Sequence, residues 1–573
     1  MSVRAVRPLV RVLAPDLSFD GGRRLDTGHC GSQAVDSVLT LLRISQNSQP
    51  GPSKLLGTLP TLKNINDEAL LARDYERAAE MLGSIADLAS VCQSNSSNIA
   101  IQNAIKHGIF ALAKDTRRST CQEFPPAMAI AAVYDKCLEN NIKLPHGVMS
   151  SIVSSIARSL AGDTLLEALN VLRTHFLQQA NEDWSALSAF IMAYGRAGYP
   201  ERAEALLTTY TNTMHPTRSS PTFRQLAFQH KEHNTQAAAY MIHVRRSAHK
   251  TLPEDVAIES WCGQSVVWNS LIRARTMNGD IAAARIWLER YRILLHMKTP
   301  FCPTPTASPY LTMMHACSSM SGIRAYVKQS SAPTRRMLRR LSSEENVDLM
   351  MESPYRTAAI HHLLRLMQTD RIVPGVAILN FLTSFEAGRN RIANGAKFAC
   401  QALILPWDCN RVRVHRTTYA SLFTLYGAAA KSADSPVHVN PLSNSDAKYS
   451  KLLEKLNTPR RVLFHCLNAL HRLDSVRLNE FCSQYGTQLL NSALTALLRC
   501  QDYAAALYAV DMLEKLGIQR DAYTYACVWE EIPLQDTIEL GIQQAITHQI
   551  RTLVLQPDSP CSEGYGADSI GSS

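Results

Sequence analysis

Nowhere in these 573 residues do two cysteines stand at C-x-x-C spacing, although there are 14 of them, scattered from Cys30 to Cys561. No group of His and Cys has the spacing of a zinc site, so no metal ligands are expected and the thiols read as small buried hydrophobes in a reducing compartment. No apolar run approaches the roughly 20 residues that cross a bilayer, and no transmembrane segment is expected. Sustained period-two alternation is missing, as is any series of Asn-Gly or Asp-Gly turns, which removes a β-sandwich or barrel. There is no phosphate loop ending in Gly-Lys-Ser/Thr, no H-E-x-x-H and no G-x-S-x-G. His230-Lys231-Glu232 matches half of a zinc deaminase signature, but no C-x-x-C follows it. The reading is therefore of a chain with no catalytic residues and no cofactor.

What the chain has is repetition. In SVVWNSLIRARTMNGDIAAARIWLERYR, Asn269 precedes the apolar pair Leu271 and Ile272 by two residues, Gly279 by ten and Ala284 by fifteen. Ser188, Phe190, Ile191, Gly198 and Ala203 repeat these offsets, as do Arg224, Leu226, Asn234 and Ala239. Asn491, Leu494, Gln501 and Ala506 give a further copy, which runs on through Gly517 and Asp521 to Tyr525. Apolar residues at three- and four-residue spacing on both sides of a polar or Gly-containing break predict helix, turn, helix. Gly198 and Gly279 fall where a helix C-terminus takes a left-handed residue. Ala203, Ala239, Ala284 and Ala506 are points where the second helix crosses the first closely. A lone hairpin cannot bury its apolar face, so such units stack.

The fold expected is all-α, a right-handed α-solenoid of helix-turn-helix repeats of about 35 residues, roughly eight to eleven of them. The array is expected over residues 65–555, clearest at 184–218, 220–254, 265–299 and 487–521. Ala78 and Ala168 mark weaker copies, and Pro309-Tyr310, Asn380 with Phe381-Leu382, and Tyr419-Ala420 mark further helix starts. The 45 residues from Ala239 to Ala284 and the polar stretch around 430–450 are loop insertions.

Residues 1–64 read as a presequence and linker. Arg4, Arg7 and Arg11 precede the first acid, Asp16, and Val3, Val6, Val10 and Leu13 lie between them at helical spacing. That is the cationic, amphipathic composition of a mitochondrial presequence, and also that of an ordinary basic terminus. Residues 556–573 have acids but no Lys or Arg, several Gly and Ser, and are expected to be disordered. Net charge is +10, which permits nucleic acid binding without requiring it. Arg335, Arg336, Arg339 and Arg340 form the densest basic cluster; they are phosphate-contact candidates, or else a solvated helix face balanced by Glu344 and Glu345.

The pattern around Trp268-Asn269, Gly279 and Ala284, around Leu187-Ser188, Gly198 and Ala203, around Phe223-Arg224 and Ala239, and through Asn491, Ala506, Gly517, Asp521 and Tyr525 resembles the pentatricopeptide repeat family, mitochondrial type. The 34-residue tetratricopeptide repeat is the near rival. The resemblance implies a binder of single-stranded RNA, a mitochondrial transcript or ribosomal RNA, held along the concave face in the matrix. Its role would be in transcript stability, processing or translation, without chemistry of its own and with ribosomal or protein partners possible. It also implies that bases are read by the helix residue matching Asn269 together with the last residue of the unit. The base-reading candidates are then Ser188, Arg224, Asn269, Asn380, Asn491 and Asp521, with Asn491 and Asp521 resembling a uracil reader. Arg224 and Ala420 depart from the family's usual Asn, Ser or Thr, and a polar residue at such a place also caps a helix or faces solvent. A protein-binding helical scaffold and a structural subunit of the mitochondrial ribosome are the alternatives.

Overall fold

The computed structural model describes residues 59–91, 95–116, 125–145, 147–178, 182–214, 221–230, 258–297, 301–318, 354–389, 391–405, 415–432, 447–518, 521 and 523–524. Among them there is no β-strand, and no helix is long and apolar enough to cross a membrane. The presequence, the tail and the Arg335, Arg336, Arg339 and Arg340 cluster lie outside the described residues, as do Ala239 and Tyr525. The chain divides into two compact units between Ile372 and Val373.

The first unit holds α1 (Leu59–Ala72), α2 (Tyr75–Val91), α3 (Asn95–Asp115), α4 (Pro126–Glu139), α5 (Val148–Ser159), α6 (Gly162–Gln178), α7 (Trp184–Ala197), α8 (Pro200–Met214), α9 (Phe223–His230), α10 (Ser265–Met277), α11 (Ile281–His296), α12 (Ser308–Ser318) and α13 (Pro354–Thr369). Helix α1 starts inside the stretch read as linker. The hairpins α5–α6, α7–α8 and α10–α11 follow the predicted grammar, and their first members, the A helices, pack directly on one another in the order α5, α7, α10, α12. Each second member, the B helix, packs on its own A helix, and α8 also reaches α10.

Local chemistry sets the boundaries. The Asp183 carboxylate accepts from the Ala186 amide at 2.9 Å to start α7, and Asp280 accepts from the Ala283 amide at 3.1 Å to start α11. Gly198 and Gly279 carry φ of 95° and 71°, the left-handed closure that the spacing predicts. The small crossing residues Ala168, Ala203 and Ala284 are fully buried.

Of the repeat expected over 220–254, only residues 221–230 are among those described, as α9. Helix α7 packs on α10 without an intervening helix: a Cβ added at Gly195 would stand 2.6 Å from Ala274 Cα. The backbone amide of Ile258 donates to the carbonyl of Pro221 at 3.0 Å, just ahead of α9. The apolar spacing at Phe223 and Leu226 marks the buried face of α9. Phe223 is buried against Trp261 and Trp268, with ring centroids 6.4 and 5.7 Å away. Local apolar periodicity reports a buried helix face without reporting which neighbour buries it.

Two buried charge clusters lock this unit. On α8, Glu204 accepts from Arg275 at 2.8 and 2.6 Å and from the Trp287 indole at 2.7 Å, which ties one hairpin to the next. Asp370, its side chain fully buried just past α13, accepts from Arg292 at 2.7 and 3.1 Å, from His296 at 2.6 Å and from the Tyr310 hydroxyl. Burial opposes ionisation of Asp370, but Arg292, His296 and Tyr310 outweigh it and hold the carboxyl below its usual value.

The second unit holds α14 (Val376–Ala387), α15 (Ile392–Ile404), α16 (Arg416–Ser432), α17 (Ala447–Lys455), α18 (Pro459–Leu470), α19 (Ser475–Phe481), a π turn at Cys482–Gly486, α20 (Thr487–Arg499) and α21 (Tyr503–Lys515). Its A row is α14, α16, α20, again in direct contact. Leucine and alanine fill the core, with Ala506 at the predicted crossing fully buried. A Cβ at Gly395 would meet Leu425 at 2.7 Å, so α15 and α16 approach closely there. Of the described thiols, Cys137, Cys262, Cys317, Cys400, Cys466 and Cys482 are buried as expected, whereas Cys500 is half-buried and Cys302 is exposed. Burial pushes Cys137, Cys317 and Cys466 up to about 12.

Asp370→Asn strips Arg292 of one of its two buried counter-charges, leaving Glu289 at 3.1 Å, and should cost about 3 kcal/mol, the low end for a broken buried pair, measured by urea unfolding followed through tryptophan fluorescence. Because the folded pKa is depressed, the Asp370 contribution is present above the unfolded value of about 3.9 and disappears as pH falls through the folded one. The stability of the Asn variant should therefore fall less below about pH 4. A variant within about 1 kcal/mol of the parent at pH 7 would contradict this.

Candidate functional site

Each A helix packs on its own B helix and its neighbours in the row, which leaves one line of residues to solvent. On α7 that line is Ser185, Ala189, Met192 and Arg196; on α10 it is Val266, Asn269, Arg273 and Met277; on α12 it is Ser308, Thr312 and His315. The steps of three and four keep one side of the helix outward. In the second unit the same steps give Ala377 and Ser384 on α14, then Thr417, Ser421, Thr424 and Ala428 on α16. On α20 they give Gln488, Ser492, Thr495 and Arg499.

Of the base-reading candidates, Asn269 stands on this line and Ser188, Asn380 and Asn491 sit at its edge. They stand three residues past its first member, about 60° round the helix, where the next A helix packs. Ser188, 5% exposed, hydrogen-bonds with Ser270 at 2.5 Å and donates to the Val266 carbonyl at 3.0 Å. Asn269 is half-buried and accepts from Thr312 at 2.8 Å. Asn380, 8% exposed, donates from its amide to Thr417 at 2.8 Å. Asn491, 2% exposed, donates to Asp521 at 2.9 Å and accepts from Thr524 at 2.8 Å. These residues form hydrogen-bonded seams between successive helices. Ser188, Asn380 and Asn491 are thus not open to a base in this structure, against expectation. Spacing finds the position but does not separate a helix's exposed line from the edge beside it.

Asp521 and Asn491 meet through that hydrogen bond. Asp521 also accepts from the Thr524 amide at 2.9 Å, while the Thr524 hydroxyl returns to the Asp521 amide at 3.2 Å, a reciprocal helix cap. Burial works against the Asp521 carboxylate, but the Thr524 and Asn491 hydrogen bonds hold its pKa below the usual value. Arg224 is exposed on α9.

The exposed line has an electrostatic property that the motif search missed. Helices α5, α7, α10, α12, α16 and α20 total 80 residues and contain no Asp or Glu. At the chain's average of 49 acids in 573 residues, about seven would be expected. Helix α14 has one, Glu386, which is buried. Acids stand instead on B helices: Asp163 and Glu167 on α6, Glu201 and Glu204 on α8, Glu289 on α11, Asp511 and Glu514 on α21. The first unit's A row carries Arg158, Arg196 and Arg273. Burial first, and then the facing Arg273 guanidinium, hold His315 below the ordinary imidazole value, which puts α10 and α12 side by side at this line. Such a surface accepts a polyanion without a repulsive carboxylate in its path. Once helix boundaries are known, the missing acids are visible in the sequence itself.

No protein-family profile matches this chain, and no curated protein matches it. Among solved structures, it matches the pentatricopeptide repeat protein PPR10 in complex with an 18-nt psaJ RNA element. That pair is 12% identical, with 91% of this chain and 78% of that one covered and a TM-score of 0.21. It also matches the pentatricopeptide repeat protein PPR10 from maize, 14% identical over 90% of this chain and 82% of that one, with a TM-score of 0.17. At those TM-scores the likeness carries no argument; the helical-repeat fold rests on the helices and their packing.

Asn491→Ala should act on stability, because Asp521 and Thr524 both lose a partner in the seam. Chemical denaturation should show a loss of about 1–3 kcal/mol, and an unchanged midpoint would place Asn491 outside the seam.

Proposed function

We propose that the chain is a pentatricopeptide-type binder of single-stranded RNA that acts without catalysis, holding its ligand along the exposed line of the A helices. The segregation of carboxylates away from that line carries the reading. A strand with one phosphate per nucleotide is attracted by Arg196 and Arg273 and meets no carboxylate along the way. The hydroxyl and amide groups along the line suit unstacked bases and sugars, the form in which RNA is read. The resemblance of the repeats to the pentatricopeptide family points the same way. A peptide-binding scaffold would favour a continuous apolar groove, and this line alternates Met192, Val266 and Met277 with arginines and hydroxyls.

The biological setting proposed is the mitochondrial matrix and the stability, processing or translation of a transcript there, on the strength of Arg4, Arg7 and Arg11 among spaced aliphatic residues. Ribosome-bound and protein-partnered forms belong to the same proposal.

Fluorescence anisotropy with a 20-nucleotide single-stranded RNA should show affinity falling steeply with salt. Arg196→Gln with Arg273→Gln should flatten the slope of log K against log salt by about 0.7 for each phosphate that is no longer neutralised. A salt-independent affinity, or a slope unchanged in the double variant, would contradict the site. For location, Arg4→Gln, Arg7→Gln and Arg11→Gln together should abolish import of the full chain into isolated mitochondria. Undiminished import would remove the presequence.

A further inference from the structure

One stretch of the first unit carries chemistry that the RNA-binding face does not use. Residues 301–307 lead into α12 outside any helix. The Ser265 hydroxyl donates to the Thr304 carbonyl at 2.8 Å, and the Tyr291 hydroxyl accepts from the Thr306 amide at 2.8 Å. These bonds hold the main chain in place while Thr304 and Pro305 stand exposed. Among the described residues a serine or threonine precedes proline at three places: Thr304-Pro305, Ser308-Pro309 and Thr458-Pro459. Ser308 lies within α12 and Thr458 caps α18 through the Arg461 amide, and the proline after each is buried. Thr304 alone of the three offers both residues to solvent without the unwinding of a helix. Proline has no N–H, so an enzyme pocket without an acceptor for the amide after the target hydroxyl takes proline and rejects other residues. That is the selectivity of proline-directed Ser/Thr kinases, which bind their substrates in extended form.

The position of Thr304 gives a phosphate there two consequences. Helices α7 and α11 start on an aspartate that caps them, whereas α10 starts after Gln264 with no side-chain cap. Thr304 is held against Ser265, the first residue of α10, and an uncapped helix start accepts negative charge. The compensation is partial, about +0.5 charge against about −1.5 to −2. The excess falls at the head of the α10 line, beside Val266, with Arg273 about 10 Å further along the helix, roughly one Debye length at physiological salt.

We propose that Thr304 is a phosphorylation site and that its phosphate weakens the hold of this line on a polyanion. In a proline-directed kinase the Thr304 Oγ1 attacks the γ-phosphorus of ATP, the bond to ADP breaks, and the hydroxyl proton passes to the kinase's carboxylate base. Because α5, α7, α10 and α12 carry no Asp or Glu, one added dianion changes the character of the line. The switch rests on the A-helix line being the RNA-binding face, and the modification does not.

The test treats the full chain with ATP and a cyclin-dependent kinase and maps phosphate by tandem mass spectrometry. Thr304 should be modified, Ser308 and Thr458 should not, and Pro305→Ala should abolish modification of Thr304. Fluorescence anisotropy with the 20-nucleotide RNA should then show binding weakened about fivefold at about 0.1 M salt and restored by phosphatase. The loss should vanish at about 0.5 M salt, which damage to the fold would not do. The Thr304→Val variant, treated identically, should bind like the untreated parent, which assigns the effect to this threonine. Absence of phosphate on Thr304 would overturn the site. A modified chain of unchanged affinity, or a loss that persists in Thr304→Val, would overturn the switch while leaving the RNA-binding face standing. A parent chain that binds no RNA before treatment would remove that face and the switch together, and phosphate on Thr304 is read separately from both.

Discussion

An A helix in this protein is packed by its neighbours in the row and by its own B helix, and that confinement governs everything else. Helix α10 is pressed by α7, α11 and α12, so most of its circumference must be apolar or internally satisfied. Small residues allow the approach: Gly195 lies against Ala274, where any side chain would push the two helices apart. Polar groups at the edges of the contact can survive only with a partner, which is why Ser188, Asn269 and Asn380 bridge to the neighbouring row member and Asn491 bonds Asp521 and Thr524. What remains is a single solvent line per helix, and stacking sets those lines side by side within each unit.

The parts of this architecture that depend on near neighbours in the chain were legible in the sequence. The turn glycines Gly198, Gly279 and Gly517 all adopt positive φ, because only local backbone geometry is at stake. Ala203, Ala284 and Ala506 lie fully buried at the crossings, since a hairpin's contact is fixed by its own offsets. Contacts made across distant sequence were harder to see. Pro221 meets Ile258 through a backbone hydrogen bond, and nothing in the local period of the sequence announces that closure. The Asp370 cluster unites α11, α12 and the end of α13 from residues separated by tens of positions. Asn491 with Asp521 was found because the pair is set by one unit's length, yet its hydrogen bonds go to each other and to Thr524.

The functional argument changes accordingly. Motif matching directs attention to single polar residues, and packing reassigns most of them to holding the helices together. The collective property of the exposed line, free of acids over seven helices apart from the buried Glu386, carries the weight instead. Long-range attraction needs no single contact of high precision, so it tolerates the irregular repeat lengths that obscure a residue-by-residue code.

The most direct measurement is photocrosslinking of the full chain to 4-thiouridine-containing single-stranded RNA, with the attachment sites located by mass spectrometry. The account predicts adducts on the exposed lines of α7, α10, α12, α16 and α20, around Met192, Val266 and Thr424. Adducts confined to the B helices, or none at all, would contradict it.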